Sequence, residues 1–280
     1  MHDTNLKDTL KEGIPLGQKS PYPTAYDKNL LFGVKRAAQR QAMNLGDNPG
    51  FVGFDVWNDY ELFWLNHKGK PVRSYASFVV PAESPNLLES KSVKLYLNSL
   101  NHQSFNDPEE VRHLIAKDFS DMCEADVQVI MAPDELTHIV PPTQLKYLCL
   151  DHLDIAVHHY QRTPELLTAD HNIVTEQKLV THLFKSHCLC TGQPDFGSIF
   201  VDYVGPKIDE ASMLAYLISY RDHVGFAENC IEQIFVDIKR ACAPQKLTVF
   251  GRFTRRGGID IDPYRSTHTI AFENTRLLYQ

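Results

Sequence analysis

The sequence predicts an α+β protein built from two tandem copies of one module, each combining antiparallel hairpins with two helices. Three observations predict it: β-rich runs flanking short turns, capped amphipathic helices, and the same order of elements recurring at a steady offset. Residues 1–50 are rich in Pro, Gly, Asn and Lys without a sustained period, so they read as an extended lead-in with one short helix near Asn29–Leu45. FDVWNDYELFWLN and PVRSYASFVV then flank a Gly-containing turn at His67–Lys70, which reads as a hairpin. VKLYLNSLNHQSF is a short helix-like stretch. Asn106-Asp107-Pro108-Glu109-Glu110 is a strong helix start, with a capping residue, proline at the first helical position and acids in the first turn. The helix that follows carries Val111, Leu114, Ile115 and Phe119 on one face, and VQVIMA (127–132) alternates as a strand does.

The second half repeats this order. HLFKSHCLCTG and GSIFVDYVGP read as strands around the turn Gln193-Pro194-Asp195, followed by MLAYLISYRDHVGF, the helix ENCIEQIFVDIKRAC and the strand LTVFGRF. Tyr96, Leu97, Ser99, Phe105, Asp118 and Cys123 match Tyr216, Leu217, Ser219, Phe226, Asp237 and Cys242 at offsets of 119 to 121 residues. A constant offset through elements in the same order argues for internal duplication. The expected organisation is a lead-in over 1–50, a first module over 51–150 and a second over 151–280.

Composition narrows the function. The 280 residues are 43% hydrophobic and 22% charged, an ordinary globular balance. With 28 Lys+Arg against 35 Asp+Glu, the net charge of -7 disfavours general nucleic-acid binding, which needs a basic footprint. No apolar run approaches the roughly 18 residues of a membrane span, and the start, MHDTNLKDTLKEG, has no secretory apolar segment. The expectation is a cytoplasmic protein, without membrane or direct nucleic-acid partners, whose six cysteines stay reduced. Neither G-x-G-x-x-G nor G-x-x-x-x-G-K-[ST] is present, so Lys, Arg and loop amides must hold any phosphate-bearing cofactor.

Four segments carry candidate chemistry. In KSHCLCTGQPDFGS, Cys188 and Cys190 would share one face of a strand, with Asp195 brought back by a turn. A nucleophilic role requires a lowered thiol pKa or a nearby base; two inert thiols and a turn aspartate fit the spacing equally. His182, His187, Cys188 and Cys190 are zinc-ligand types, but their spacing matches no finger or ribbon, so no metal is expected. In Leu88-Glu89-Ser90-Lys91-Ser92-Val93-Lys94, helix-start amides and two lysines suit an anion such as phosphate, or simply make a capped, solvated helix end. Phe226-Ala227-Glu228 sets a carboxylate beside an aromatic ring, suited to a flat heterocycle with adjacent N–H groups or to the helix dipole alone. Arg252-Phe253-Thr254-Arg255-Arg256-Gly257-Gly258 is a basic turn, either exposed or a phosphate clamp.

ESKSVKLYLNSLN, KSxCLxTxQPDxGS and FTRRGGIDIDPYRS together resemble the long, duplicated form of the 7-cyano-7-deazaguanine reductases, NADPH-dependent nitrile reductases of queuosine biosynthesis. The resemblance runs from YDKNLLFGVKR to the last strand. It implies the tunnelling fold, in which antiparallel sheets with two helices per module assemble into a barrel between subunits, and hence a homodimer. It implies Cys188 as nucleophile and Asp195 as proton donor. Glu89 and Glu228 would hold the deazaguanine, with Leu88, Ser90 and Ala227 lining the pocket and Phe226 covering the base. Ser90, Lys91, Arg256 and Gly257 would bind NADPH, helped by Lys94 and Arg255. The chain departs from the family's Phe-His-Glu at Ala227, with His223 three residues upstream as a potential substitute.

The implied chemistry is covalent. Addition of the Cys188 thiolate to the nitrile, with a proton from Asp195, gives a thioimide more readily reduced than the nitrile, and two NADPH supply the four electrons. Two other readings are a metal-dependent tunnelling-fold cyclohydrolase acting on a pterin- or GTP-like ring, and a non-catalytic purine-binding relative, which only Ala227 favours.

Overall fold

A computed structural model describes residues 22–46, 49–131, 139–271 and 274–280. Residues 1–21, 47 and 48 of the expected lead-in, together with Ala132 of the expected strand 127–132, lie outside them. In chain order the strands are β1 (Gly33–Lys35), β2 (Val52–Asn66), β3 (Pro71–Pro81), β4 (Asn86–Leu88), β5 (Ser104–Phe105), β6 (Gln128–Met131), β7 (Ile139–Val140), β8 (Leu148–Cys149), β9 (Ala169–His187), β10 (Pro194–Ile208), β11 (Lys246–Phe253), β12 (Ile259–Ser266) and β13 (Arg276–Leu277). The α-helices are α1 (Arg36–Ala42), α2 (Ser90–Ser99), α3 (Pro108–Cys123), α4 (Glu210–Ile218) and α5 (Ala227–Cys242). No helix among the described residues is long and apolar enough to cross a membrane.

The chain divides into two compact units. The first comprises residues 1–42, 54–136 and 255–261; the second comprises 43–53, 137–254 and 262–280. In the first unit β3 lies between β2 and β6, antiparallel to both. Trp57, Leu62, Ala76 and Phe78 from these strands pack against Val93, Tyr96 and Leu97 of α2 and Val111, Ile115 and Phe119 of α3. The α3 start forms as its sequence dictates: the Asp107 carboxylate accepts the Glu110 N–H at 3.0 Å and Pro108 opens the helix. A register shift between Asp59 and Leu62 sets Tyr60 and Glu61 of β2 opposite the single residue Tyr75 of β3, a bulge that turns the Glu61 side chain outward.

The expected helix near Asn29–Leu45 is mostly replaced by a 3-10 turn (Lys28–Leu30), the strand β1 and the seven-residue α1. The reason is a long-range partner: β1 pairs antiparallel with β4, and Gly33 passes so close to α3 that a Cβ there would meet Met122 Sδ at 2.9 Å. Arg36, at the start of α1, is buried and donates to Asp55 at 2.5 Å.

In the second unit the strand order is β12, β11, β10, β9, β8, antiparallel except for the parallel pair β8–β9. One face buries Phe184, Ile199, Val201, Val249 and Phe253 against Leu214 and Tyr216 of α4 and Ile231, Ile234, Phe235 and Ile238 of α5. On the other face Phe200, Phe250 and Tyr264 stack in a row, with centroids 4.5 and 4.8 Å apart. A cavity of about 830 Å³ opens over that face, and of the candidate segments only Arg252 lines it.

The repeated positions perform the same task in each unit. The buried Tyr96 hydroxyl donates to Asp118 at 2.7 Å, and Tyr216 donates to Asp237 at 2.6 Å. Ser99 and Ser219 each donate to the carbonyl three residues earlier, both at 2.6 Å. Both long helices end in a left-handed residue, Glu124 after Cys123 and Ala243 after Cys242.

Candidate active site

The segment expected to carry the nucleophile differs from its sequence expectation. Cys188 and Cys190 do not sit on a strand: β9 ends at His187 and β10 begins at Pro194, so both lie in the connecting loop. The loop is closed by two backbone hydrogen bonds, Cys188 N–H to Gln193 C=O at 2.8 Å and Gly192 N–H to Cys188 C=O at 2.9 Å. Gly192 has φ +67°, the left-handed geometry that favours glycine. The expected turn at Gln193–Asp195 therefore lies slightly earlier, and Asp195 belongs to β10, in register with Ser186 of β9.

This loop changes the chemistry of one sulfur. The Cys190 side chain first, and then the Thr191 hydroxyl and the backbone N–H groups of Thr191 and Cys190, favour the charged form of the Cys188 sulfur. Together they outweigh burial, which opposes the charge, and lower the Cys188 pKa to about 4. Cys188 is therefore a thiolate at neutral pH, the form that attacks carbon. Elsewhere burial alone pushes the Cys242 thiol up to about 11, and in Cys123 burial dominates and pushes it up to about 12.

The end of β9 also anchors a helix start. His187 N–H donates to His223 C=O at 2.8 Å, and Gly225 N–H donates to His187 C=O at 3.0 Å. The second unit thus gathers the nucleophile loop and the entry to α5, where Phe226 is the N-cap and Ala227 and Glu228 form the first turn. Cys188, Asp195, Ala227 and Glu228 are all buried, and Phe226 is half-buried. Ser186, opposite Asp195, buries a hydroxyl with no hydrogen-bond partner among the described residues. The His223 ring packs edge-on against Tyr220 at 5.0 Å.

The first unit carries the other half of the expected residues. Leu88 ends β4, and Glu89 is the N-cap of α2. The two Glu89 oxygens accept the N–H groups of Lys91 and Ser92, both at 2.8 Å. The α2 amides of Lys91 and Ser92 are therefore already bonded to Glu89, so an anion at this helix start would draw on the Ser90 and Lys91 side chains instead. Burial pushes the Glu89 pKa up, and the two amides counter it. A carboxylate has about four acceptor sites, so these two bonds, with the Ser90 hydroxyl on Oε1 at 3.5 Å, fix its orientation and leave capacity for one further donor.

The cationic residues meet at a turn. Gly257 and Gly258 both have positive φ, +58° and +90°, and Arg256 and Ile259 exchange backbone hydrogen bonds around them, the geometry of a tight two-residue hairpin. Lys94 reaches this turn: a Cβ on Gly257 would meet its Cγ at 3.8 Å. Arg255 and Arg256 are exposed, and the Arg255 guanidinium lies 6.0 Å from the Tyr60 ring centroid.

Sequence reasoning missed two acids here. Glu61, presented by the bulge in β2, pairs with Lys94 at 2.9 Å, and that hydrogen bond holds its carboxyl below the usual range. Buried Asp59 is raised to about 6, chiefly by desolvation. The bulge that aims Glu61 has no local sequence mark. The four zinc-type residues do not converge as a set: His187 Nδ1 lies 3.0 Å from Gly192 C=O and its Nε2 3.0 Å from Lys185 Nζ, while His182 gathers with Cys149 and Asp151.

Comparison with known proteins agrees on one family. Residues 22–131 match the family model described as "Nitrile reductase, 7-cyano-7-deazaguanine-reductase N-term", and residues 194–271 match the one described as "QueF-like protein". A protein of Burkholderia pseudomallei (strain 1710b) named NADPH-dependent 7-cyano-7-deazaguanine reductase is 48% identical over 92% of this chain and 94% of its own length. A protein of the same name from Burkholderia mallei (strain SAVP1) matches to the same extent. Another of that name, from Cupriavidus necator, is 45% identical over 96% of this chain and 98% of its own length. The chain belongs to the NADPH-dependent 7-cyano-7-deazaguanine reductase family.

Proposed function

We propose that this protein is an oxidoreductase that reduces the nitrile of 7-cyano-7-deazaguanine to an aminomethyl group with NADPH, in queuosine biosynthesis. The observation that carries the reading is the depressed pKa of Cys188 in a loop of four donors, beside the buried Asp195 and the entry to α5. A nitrile carbon is a weak electrophile, and a preformed thiolate attacks it without a separate base. The new C–S bond moves the nitrile π pair to nitrogen, where Asp195 delivers a proton, giving a thioimide on Cys188. After reduction of its C=N bond, the sulfur departs as the thiolate, and the donors of Cys190 and Thr191 receive that charge again.

We assign deazaguanine binding to Glu89, Leu88 and Ser90 in the first unit and to Glu228, Phe226 and Ala227 in the second, the carboxylates accepting ring N–H groups and Phe226 covering the base. The orientation that the α2 amides impose on Glu89 supports that role. For NADPH, a glycine pair without Cβ atoms beside Lys94, Arg255 and Arg256 fits a phosphate-bearing group, with Ser90 and Lys91 at the nearby start of α2. NADPH when bound supplies hydride, and the four-electron change requires two in succession. Lys94 must exchange its Glu61 partner for the phosphate. With no imidazole at Ala227, proton delivery falls on Asp195, and His223 is the neighbouring ring.

The reading includes tunnelling-fold modules over 51–150 and 151–280 joined in a homodimer, in the cytoplasm where the thiols stay reduced. The deciding experiment measures NADPH oxidation by the purified protein. Consumption that depends on added 7-cyano-7-deazaguanine and yields the aminomethyl product is expected; binding of the nitrile without consumption would refute the activity.

A further inference from the structure

We propose that Cys149, Asp151 and His182 form a binding site for one soft divalent cation of the zinc class. One ligand atom from each lies within 4.8 Å of the other two, and all three residues are half-buried. The site is a product of the second unit's topology. Cys149 closes β8, whose parallel pairing with β9 sets it opposite Val180, next to Thr181 and His182. Asp151 follows in a 3-10 turn, Leu150–His152.

Surrounding contacts hold the ligands in place. Asp151 Oδ1 accepts the Thr181 hydroxyl at 2.6 Å, and both Asp151 oxygens accept the His182 N–H at 3.1 Å. His182 Nδ1 bonds the Ser198 hydroxyl at 2.7 Å, which leaves Nε2 for a metal, and Tyr279 packs on the ring at 5.0 Å. Hydrogen bonds of this kind to metal-bound histidine and carboxylate fix ring orientation and ligand basicity.

The donor set selects the ion. Thiolate and imidazole favour zinc-class metals over magnesium or calcium, and three protein ligands leave a fourth position for water. Binding forms the metal–sulfur bond and releases the thiol proton to solvent. The ion ties the 148–152 segment to β9, the strand that ends at the Cys188 loop. This inference stands apart from the proposed activity, since it uses none of the residues assigned to it.

The test uses the full chain, stripped of metal by a chelator and titrated with Co2+ as a spectroscopic probe, then with Zn2+ in competition. One Co2+ per chain is expected, with a thiolate-to-cobalt charge-transfer band that Zn2+ abolishes. Cys149→Ser removes the band, while Cys188→Ala and Cys190→Ala retain it. Ser198→Ala weakens Co2+ binding by about 10- to 100-fold, the usual effect of losing an outer hydrogen bond to a metal-bound histidine. His182→Gln gives a second variant should Cys149→Ser fail to fold by circular dichroism. No stoichiometric uptake, a band that survives loss of Cys149 or His182, or a band lost with Cys188 would each overturn the site.

Discussion

Removing the donors around Cys188 tests how the nucleophile is activated. Cys190→Ala takes away the side-chain donor that lowers its pKa most, and Thr191→Val takes away the hydroxyl while keeping the backbone donor. A hydrogen bond to a charged group contributes about 1.5–3 kcal/mol, and a pKa unit corresponds to about 1.4 kcal/mol, so each loss should raise the pKa by about 1–2 units. From about 4 in the wild type, each single variant should reach about 5–6 and the double variant about 6–8 by the same arithmetic. The assay is the rate of Cys188 alkylation by iodoacetamide across pH, read on the Cys188 peptide by mass spectrometry. Rates at one site are compared across pH, so limited access to a buried sulfur cancels.

The wild-type rate should be flat through neutral pH and fall only as pH drops toward about 4. An unperturbed thiol, with a pKa of about 8.5, would instead gain tenfold per pH unit up to about pH 8. An inflexion near the unperturbed value in wild type, or one that loss of Cys190 leaves in place, would refute the donor-loop explanation. Cys123 and Cys242, pushed up to about 12 and about 11, should remain unlabelled while Cys188 reacts.

Asp195→Asn should preserve substrate binding and slow turnover by about 10²–10⁴-fold, as loss of a general acid does; near wild-type turnover would reduce Asp195 to a strand residue. Lys94→Ala should raise KM for NADPH by about 10- to 100-fold, the loss of one charge-assisted contact, with kcat little changed; an unchanged KM would remove Lys94 from the cofactor site. Glu232→Ala should destabilise the fold by about 3–5 kcal/mol in urea unfolding, because it takes a buried carboxylate away from the buried Arg265 guanidinium. Arg265 Nη2 and Glu232 Oε1 are 2.9 Å apart and both side chains are sealed from solvent, so a loss under about 1 kcal/mol, typical of an exposed pair, would contradict that account.

What could be read from the sequence follows a physical line. Capping and period are local, so α3 begins at Pro108 as its Asp-Pro-Glu start requires. The duplication was visible because Tyr96, Ser99 and Asp118 and their counterparts form the same buried hydrogen bonds in both units. The loop at Cys188 has strand-like composition through Cys188-Leu189-Cys190-Thr191, and Gly192 is the one local sign that the chain turns there. The roles proposed for Cys188 and Asp195 rest on motif resemblance; the groups that lower the Cys188 pKa depend on loop geometry that composition does not encode. β1, the bulge at Tyr60–Glu61 and the meeting of Cys149 with His182 all depend on partners distant in sequence.

The most direct measurement is intact-protein mass spectrometry and absorbance after mixing the enzyme with 7-cyano-7-deazaguanine in the absence of NADPH. The account predicts a covalent adduct equal in mass to protein plus one substrate, present in wild type and Cys190→Ala and absent in Cys188→Ala. An adduct that persists without Cys188, or none in a wild-type protein that turns over, would contradict it.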